Sequence, residues 1–191
     1  SGMWSNTPLS PKHSDGARNY GMTLSKITIL LIGALTASIP VHAEQHERVP
    51  PYLLTSIGHA AALDGAVDDP IVFKAEYRFR PMANGWNTVP AIGAARAENG
   101  ASFLFADIKK DLFLTNHWVL TPSFGLGLFN GTSDFKLGSE LEFRSGIRIS
   151  YLFENDLRLG LALFHLSNGG IGATNPGTEP AFLSLAFPLG G

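Results

Sequence analysis

Cysteine is absent from all 191 residues, which excludes a disulfide framework and any thiolate metal site. Charge is sparse too. Asp, Glu, Lys and Arg make up 16 % of the chain and sum to a formal −2, so no basic face points to a nucleic-acid partner. Beyond residue 43 no run of about twenty apolar residues occurs, and a spanning helix is therefore not encoded there.

The apolar run that does exist lies early and is short. In 22–43, Lys26 precedes an apolar stretch that ends in Val41-His42-Ala43, a small-x-small cleavage site, which together read as a secretory signal peptide. Residues 1–21 are polar and aperiodic and read as a leader or extension outside the fold. Cleavage after Ala43 leaves 44–191, enough for one domain with a sizeable core.

What fills that domain is a period of two. Ile71, Phe73, Ala75, Tyr77 and Phe79 alternate with Val72, Lys74, Glu76, Arg78 and Arg80. From 141 to 151, Leu141, Phe143, Ile147, Ile149 and Tyr151 share one face while Glu142, Arg144, Arg148 and Ser150 share the other. A soluble sandwich would turn the charged face to water. Strands of about ten residues after an export signal also fit an outer-membrane barrel, with the apolar face on lipid and the charged face inside.

About eight such segments are legible, at 51–62, 69–80, 88–97, 100–109, 117–129, 139–152, 155–166 and 178–187. Turn signals separate them, among them Asp64-Gly65, Asn84-Gly85, Asn99-Gly100, Asn130-Gly131 and Asn175-Pro176-Gly177. The fold class expected is all-β: an eight-stranded antiparallel up-and-down transmembrane β-barrel. Pro90 and Pro122 fall inside proposed strands, where each removes a ladder donor, so bulges or strand ends are expected at both. Lys74, Glu76, Arg78, Arg96, Glu142, Arg144 and Arg148 are expected in the lumen as a charge network rather than a pore.

The chemistry concentrates in His165-Leu166-Ser167-Asn168-Gly169-Gly170, followed by Asn175-Pro176-Gly177-Thr178-Glu179. Two apart in a strand, His165 and Ser167 face the same way, and a turn brings Glu179 back beside them. The odd register of Leu157, Leu159, Leu161 and Leu163 continues into His165 and Ser167, and Glu179 is in register with Ala181, Leu183, Leu185 and Phe187. All three polar groups thus extend lipid-facing rows. With both termini periplasmic they sit at the outer surface, where a charge on the wall costs only about 0–1 kcal/mol.

The pattern His-x-Ser-Asn-x-Gly with Asn-Pro-Gly-x-Glu, on the last two strands of a small exported barrel, resembles the lipid A 3-O-deacylases of the PagL type. That resemblance implies an outer-membrane serine esterase that removes the 3-hydroxyacyl chain ester-linked at position 3 of lipid A. It implies Ser167 as nucleophile, His165 as general base and then acid, and Glu179 as the carboxylate that orients the imidazole. The Asn168 side chain and the Gly170 N–H would form the oxyanion hole. No metal or cofactor is implied, the partners are lipopolysaccharide and the lipids of the outer membrane, and a homodimer is compatible with these residues without being called for.

Two rivals bracket this reading. One is an outer-membrane phospholipase or other lipid esterase using the same residues, and the other a non-enzymatic small barrel in which they only end strands. His59 and His117 lack a neighbouring ligand set at metal spacing. Gly125-Leu126-Gly127 with Gly131 lacks the βαβ context of a nucleotide loop. Asp64, Asp68, Asp69 and Lys136 fall in outer loops, where contact with cations or phosphates competes with plain solvation.

Overall fold

The structure, a computed structural model, describes residues 49–63, 69–83 and 86–190. The expected leader and signal peptide, Asp64, Asp68 and the Asn84-Gly85 turn lie outside the described residues. All the described elements are strands: β1 (Tyr52–His59), β2 (Ile71–Arg78), β3 (Thr88–Ala97), β4 (Ser102–Lys110), β5 (Leu112–Phe113), β6 (Trp118–Asn130), β7 (Leu141–Leu152), β8 (Arg158–Ser167) and β9 (Ala181–Pro188).

Each strand pairs antiparallel with its neighbours, β1 pairs with β9, and β4 pairs with β6 to close the ring. β5 is a two-residue continuation of β4 along β6, so the wall has eight staves. Closure removes free edges, the condition for strands in lipid, where no water can satisfy an unpaired backbone group.

Alternation sorts the side chains. On β2, Val72, Lys74, Glu76 and Arg78 are buried in the lumen while Phe73 faces out. On β8, Arg158, Ala162, Phe164 and Leu166 point inward, and Leu159, Leu161 and Leu163 are exposed on the outer wall. Exposed leucine and phenylalanine on nearly every stave would be an aggregation hazard in water and is the expected exterior in a bilayer. At one rim Trp118, Tyr151 and Phe153 stack edge to face, with ring centroids 5.4 and 5.0 Å apart, as an interfacial aromatic belt does.

The two prolines fit by different means. Pro90 lies inside β3, paired with Ile108 on β4 without a bulge, and its missing donor faces the side where β2 has already ended at Arg78; its carbonyl accepts the Phe79 N–H there. Pro122 lies inside β6, paired with Ile147 on β7 without a bulge. On its other side the pairing of β6 breaks between Ser123, opposite Lys109, and Leu120, opposite Leu112, and this interruption separates β5 from β4.

One expected lumen residue is on the other face. Arg96 is exposed in the outward row of β3 with Ile92 and Ala94. It lies one residue from the strand's outer end, where lipid gives way to headgroups and the penalty for charge falls.

Candidate active site on the outer wall

The connections after β1, β6 and β8 meet at one end of the barrel. The Ala62 N–H donates to the Glu179 carbonyl at 3.1 Å, and Thr178 Oγ1 donates to the Ala60 carbonyl at 2.7 Å. Leu166 and Thr178 form a β-bridge that carries the β8–β9 pairing past Ala181 and sets His165 across from Glu179. His165 Nδ1 and Glu179 Oε1 are 2.9 Å apart. Glu179 is 6 % exposed, so this carboxylate is held in a largely dry niche beside the imidazole.

Ser167 ends β8 on the same outward face as His165, one strand repeat away, or about 6.6–6.8 Å from Cα to Cα. Beyond it the chain turns sharply: Gly169 and Gly170 have φ of +63° and +86°, a left-handed pair that other residues adopt only with strain. The wall falls away below the site into an apolar groove lined by Ile57, Ile149, Leu161, Leu163, Ala181 and Leu183.

Asn168 is fully buried and ties this turn together. Its Nδ2 donates to the Leu137 carbonyl at 2.9 Å and to the Thr174 carbonyl at 2.8 Å, and its Oδ1 accepts the Gly170 N–H at 2.9 Å. Both groups expected as oxyanion donors are thus engaged, Asn168 with the β6–β7 connection as well as its own turn. The Asn168 N–H in turn donates to Asn175 Oδ1 at 3.0 Å. Asn175 is thus more than a turn residue, and the sequence signal for this contact is an asparagine seven residues on, whose side chain can mimic a backbone acceptor.

The other candidates lie elsewhere. His59, at the outer end of β1, has its Nδ1 3.2 Å from Asp69 Oδ2, and Asp69 Oδ1 accepts the Ala61 N–H at 2.7 Å. That pair lies one rung below the site, since His59 is across from Ala181 and Ala181 across from Leu163. His117 is at the opposite rim, stacked on Tyr151 with its Nδ1 3.2 Å from the Leu152 carbonyl. Among the described residues no three His, Asp or Glu side chains converge at metal-binding distance. Lys136 is exposed beside Leu137, whose carbonyl the Asn168 amide holds.

A closed eight-stranded barrel with an apolar exterior defines a class, the transmembrane β-barrel, and on its lipid-facing wall a His–Glu pair stands beside a serine. The chain belongs to the lipid A 3-O-deacylase (PagL) family, whose profile matches residues 71–188. Lipid A 3-O-deacylation in the bacterial outer membrane is the function that membership assigns. Among solved structures, the outer-membrane enzyme PagL matches with a TM-score of 0.56 at 18 % identity, over 72 % of this chain and 99 % of that one. A de novo designed transmembrane β-barrel matches with a TM-score of 0.53 at 9 % identity, over 74 % of this chain and 96 % of that one, which is likeness of fold alone. No curated protein sequence matches.

Proposed function

We propose that Ser167, His165 and Glu179 form the triad that hydrolyses the 3-O-linked hydroxyacyl ester of lipid A, from the outer leaflet. The observation that carries this reading is the 2.9 Å contact between His165 Nδ1 and Glu179 Oε1 on the lipid-facing wall, beside a serine in the same row. With Nδ1 donating to the carboxylate, Nε2 is the nitrogen that takes the Ser167 proton as Oγ attacks the ester carbonyl. Glu179 stabilises the imidazolium that results, which then protonates the departing sugar oxygen. Water repeats the sequence on the acyl-enzyme and releases the hydroxy acid. General-base assistance of this kind contributes about 10²–10⁴ in rate.

Asn168 and Gly170 are the oxyanion donors in this reading, acting by exchange. In the resting site their N–H groups bond to neutral oxygens, those of Asn168 to the Leu137 and Thr174 carbonyls and that of Gly170 to Asn168 Oδ1. A developing oxyanion is an ionised acceptor, to which hydrogen bonds are about twice as strong. The exchange is therefore favourable only as charge builds, so it lowers the barrier without tightening ground-state binding. The apolar groove below the site would take the acyl chain while the sugar stays at headgroup level. Residues 22–43 we read as the export signal that delivers the barrel.

The test is mass spectrometry of lipid A from cells expressing the protein. Loss of one 3-hydroxyacyl chain is expected with the native chain and not with a folded Ser167→Ala variant. Equal lipid A from the two would overturn the proposal.

A further inference from the structure

The lumen holds more positive charge than its carboxylates balance. Lys74, Lys109, Arg144 and Arg148 surround Glu76 and Asp107, and all six are at most 4 % exposed. Lys109 Nζ is 2.9 Å from Asp107 and 3.2 Å from Glu76, and Arg144 contacts Asp107. Lys74 Nζ and Arg148 Nη2 each lie 3.7 Å from Glu76. Glu142, the next luminal carboxylate, is fully buried and makes no ion pair among the described residues. Even when Glu142 is counted, four cations of this cluster face three carboxylates, and elsewhere in the lumen Arg78 and Arg158 share the single carboxylate of Asp111.

The surplus is exposed to a cavity. Lys74 and Arg144 line the floor of a chamber in the outer half of the lumen, walled by Phe103, Phe105, Phe129, Leu137, Leu166 and Phe182. Lys74 Nζ and Arg144 Nη2 have no hydrogen-bond acceptor. Aromatic faces attend both: Lys74 Nζ is 4.5 Å from the centre of the Phe182 ring, and the Arg144 guanidinium carbon is 3.5 Å from that of Phe164. Ring quadrupoles attract cations but cannot cancel a unit charge, and buried charge stays costly until it is paired.

We propose that this floor is a binding site for a small monoanion, of halide or carboxylate chemistry, held by Lys74 and Arg144 beneath the apolar chamber. One negative charge offsets the excess of one within this cluster. The apolar walls favour a weakly hydrated monoanion over sulfate or a phosphate ester, whose greater charge costs more to strip of water. The site is independent of the triad, which faces the other side of the wall, so hydrolysis does not depend on it.

Thermal unfolding of the full chain in detergent micelles, at constant ionic strength in chloride or gluconate, tests this. A midpoint about 3–6 °C higher in chloride is expected at roughly tenfold saturation, with Lys74→Met abolishing the difference and Lys136→Ala, in an exposed loop, preserving it. An acetate arm separates the carboxylate source from the halide source: a gain in acetate alone assigns the site to carboxylates. No gain from either anion, or a gain that survives Lys74→Met, would overturn the proposal. If Lys74→Met does not fold, crystals of the native chain grown in bromide decide the question, with an anomalous peak between Lys74 Nζ and Arg144 expected and its absence refuting the site.

Discussion

Arg158 and His165 stand on the same strand and face opposite ways. Inside, Arg158 donates to Asp111 Oδ2 at 2.7 Å and to the Tyr52 hydroxyl at 3.2 Å, and Arg78 and Thr121 complete the shell around Asp111 at 2.8 and 2.7 Å. Outside, His165 meets Glu179 at 2.9 Å on a wall that is mostly leucine, isoleucine and phenylalanine. The inner network fills part of a narrow lumen with cations and carboxylates that pair at close range, beside a cluster of phenylalanines and leucines. The outer pair has no such filling role; it occupies interfacial wall where a leucine would be cheaper. On the proposed reading, polar groups are structural where they line the lumen and chemical where they stand on the outer wall.

The sharpest way to break this contrast is Ser167→Ala. Deacylation should fall by about 10⁴-fold or more while the unfolding midpoint in detergent stays where it was, because Ser167 lies on the surface and its loss leaves no buried group unpaired. A large loss of stability would mean that the outer cluster is structural after all.

Asp111→Ala should show the converse. It strands two buried guanidinium groups, a change that typically costs about 3–5 kcal/mol. The urea midpoint should drop accordingly, while kcat/KM per folded molecule holds. A third substitution addresses the lipid-facing wall itself: Leu161→Arg puts a charge at a site 62 % exposed to the bilayer and should cost about 2–4 kcal/mol if that row lies near the membrane's midplane. In a soluble sandwich the same change would cost almost nothing, so folding into vesicles measures which solvent the wall meets.

Much of this was legible in the sequence, and the parts that were not share a cause. The alternation from Leu157 to Leu163 fixed the face of His165 and Ser167, because a period of two cannot drift without reversing every side chain. The eight staves and the position of Glu179 followed from the same rule together with turn chemistry. Arg96 breaks the rule that charge marks the lumen, since it shares the outward row of Ile92 and Ala94 near the strand's end. The break between β4 and β5 depends on which strand lies across from Pro122, and the bonds of Asn168 depend on a carbonyl thirty-one residues earlier, at Leu137. Local patterns carry register; they do not carry which loop folds over which.

Asn175→Ala probes the border between the two kinds of polar group. Asn175 accepts the backbone N–H of Asn168, the residue that follows the serine, and removing it leaves that N–H without its partner, at a cost of about 1–3 kcal/mol if water does not enter. A purely structural asparagine would lower the unfolding midpoint and leave the kinetics of the folded fraction alone. In the reading advanced above the turn is also the oxyanion side, so kcat should fall with little change in KM, since the ground-state ester does not use these donors. Lipid A hydrolysis in mixed micelles, normalised to the folded fraction, separates the two, and an unchanged kcat would move Asn175 and the turn it holds to the structural side of the contrast.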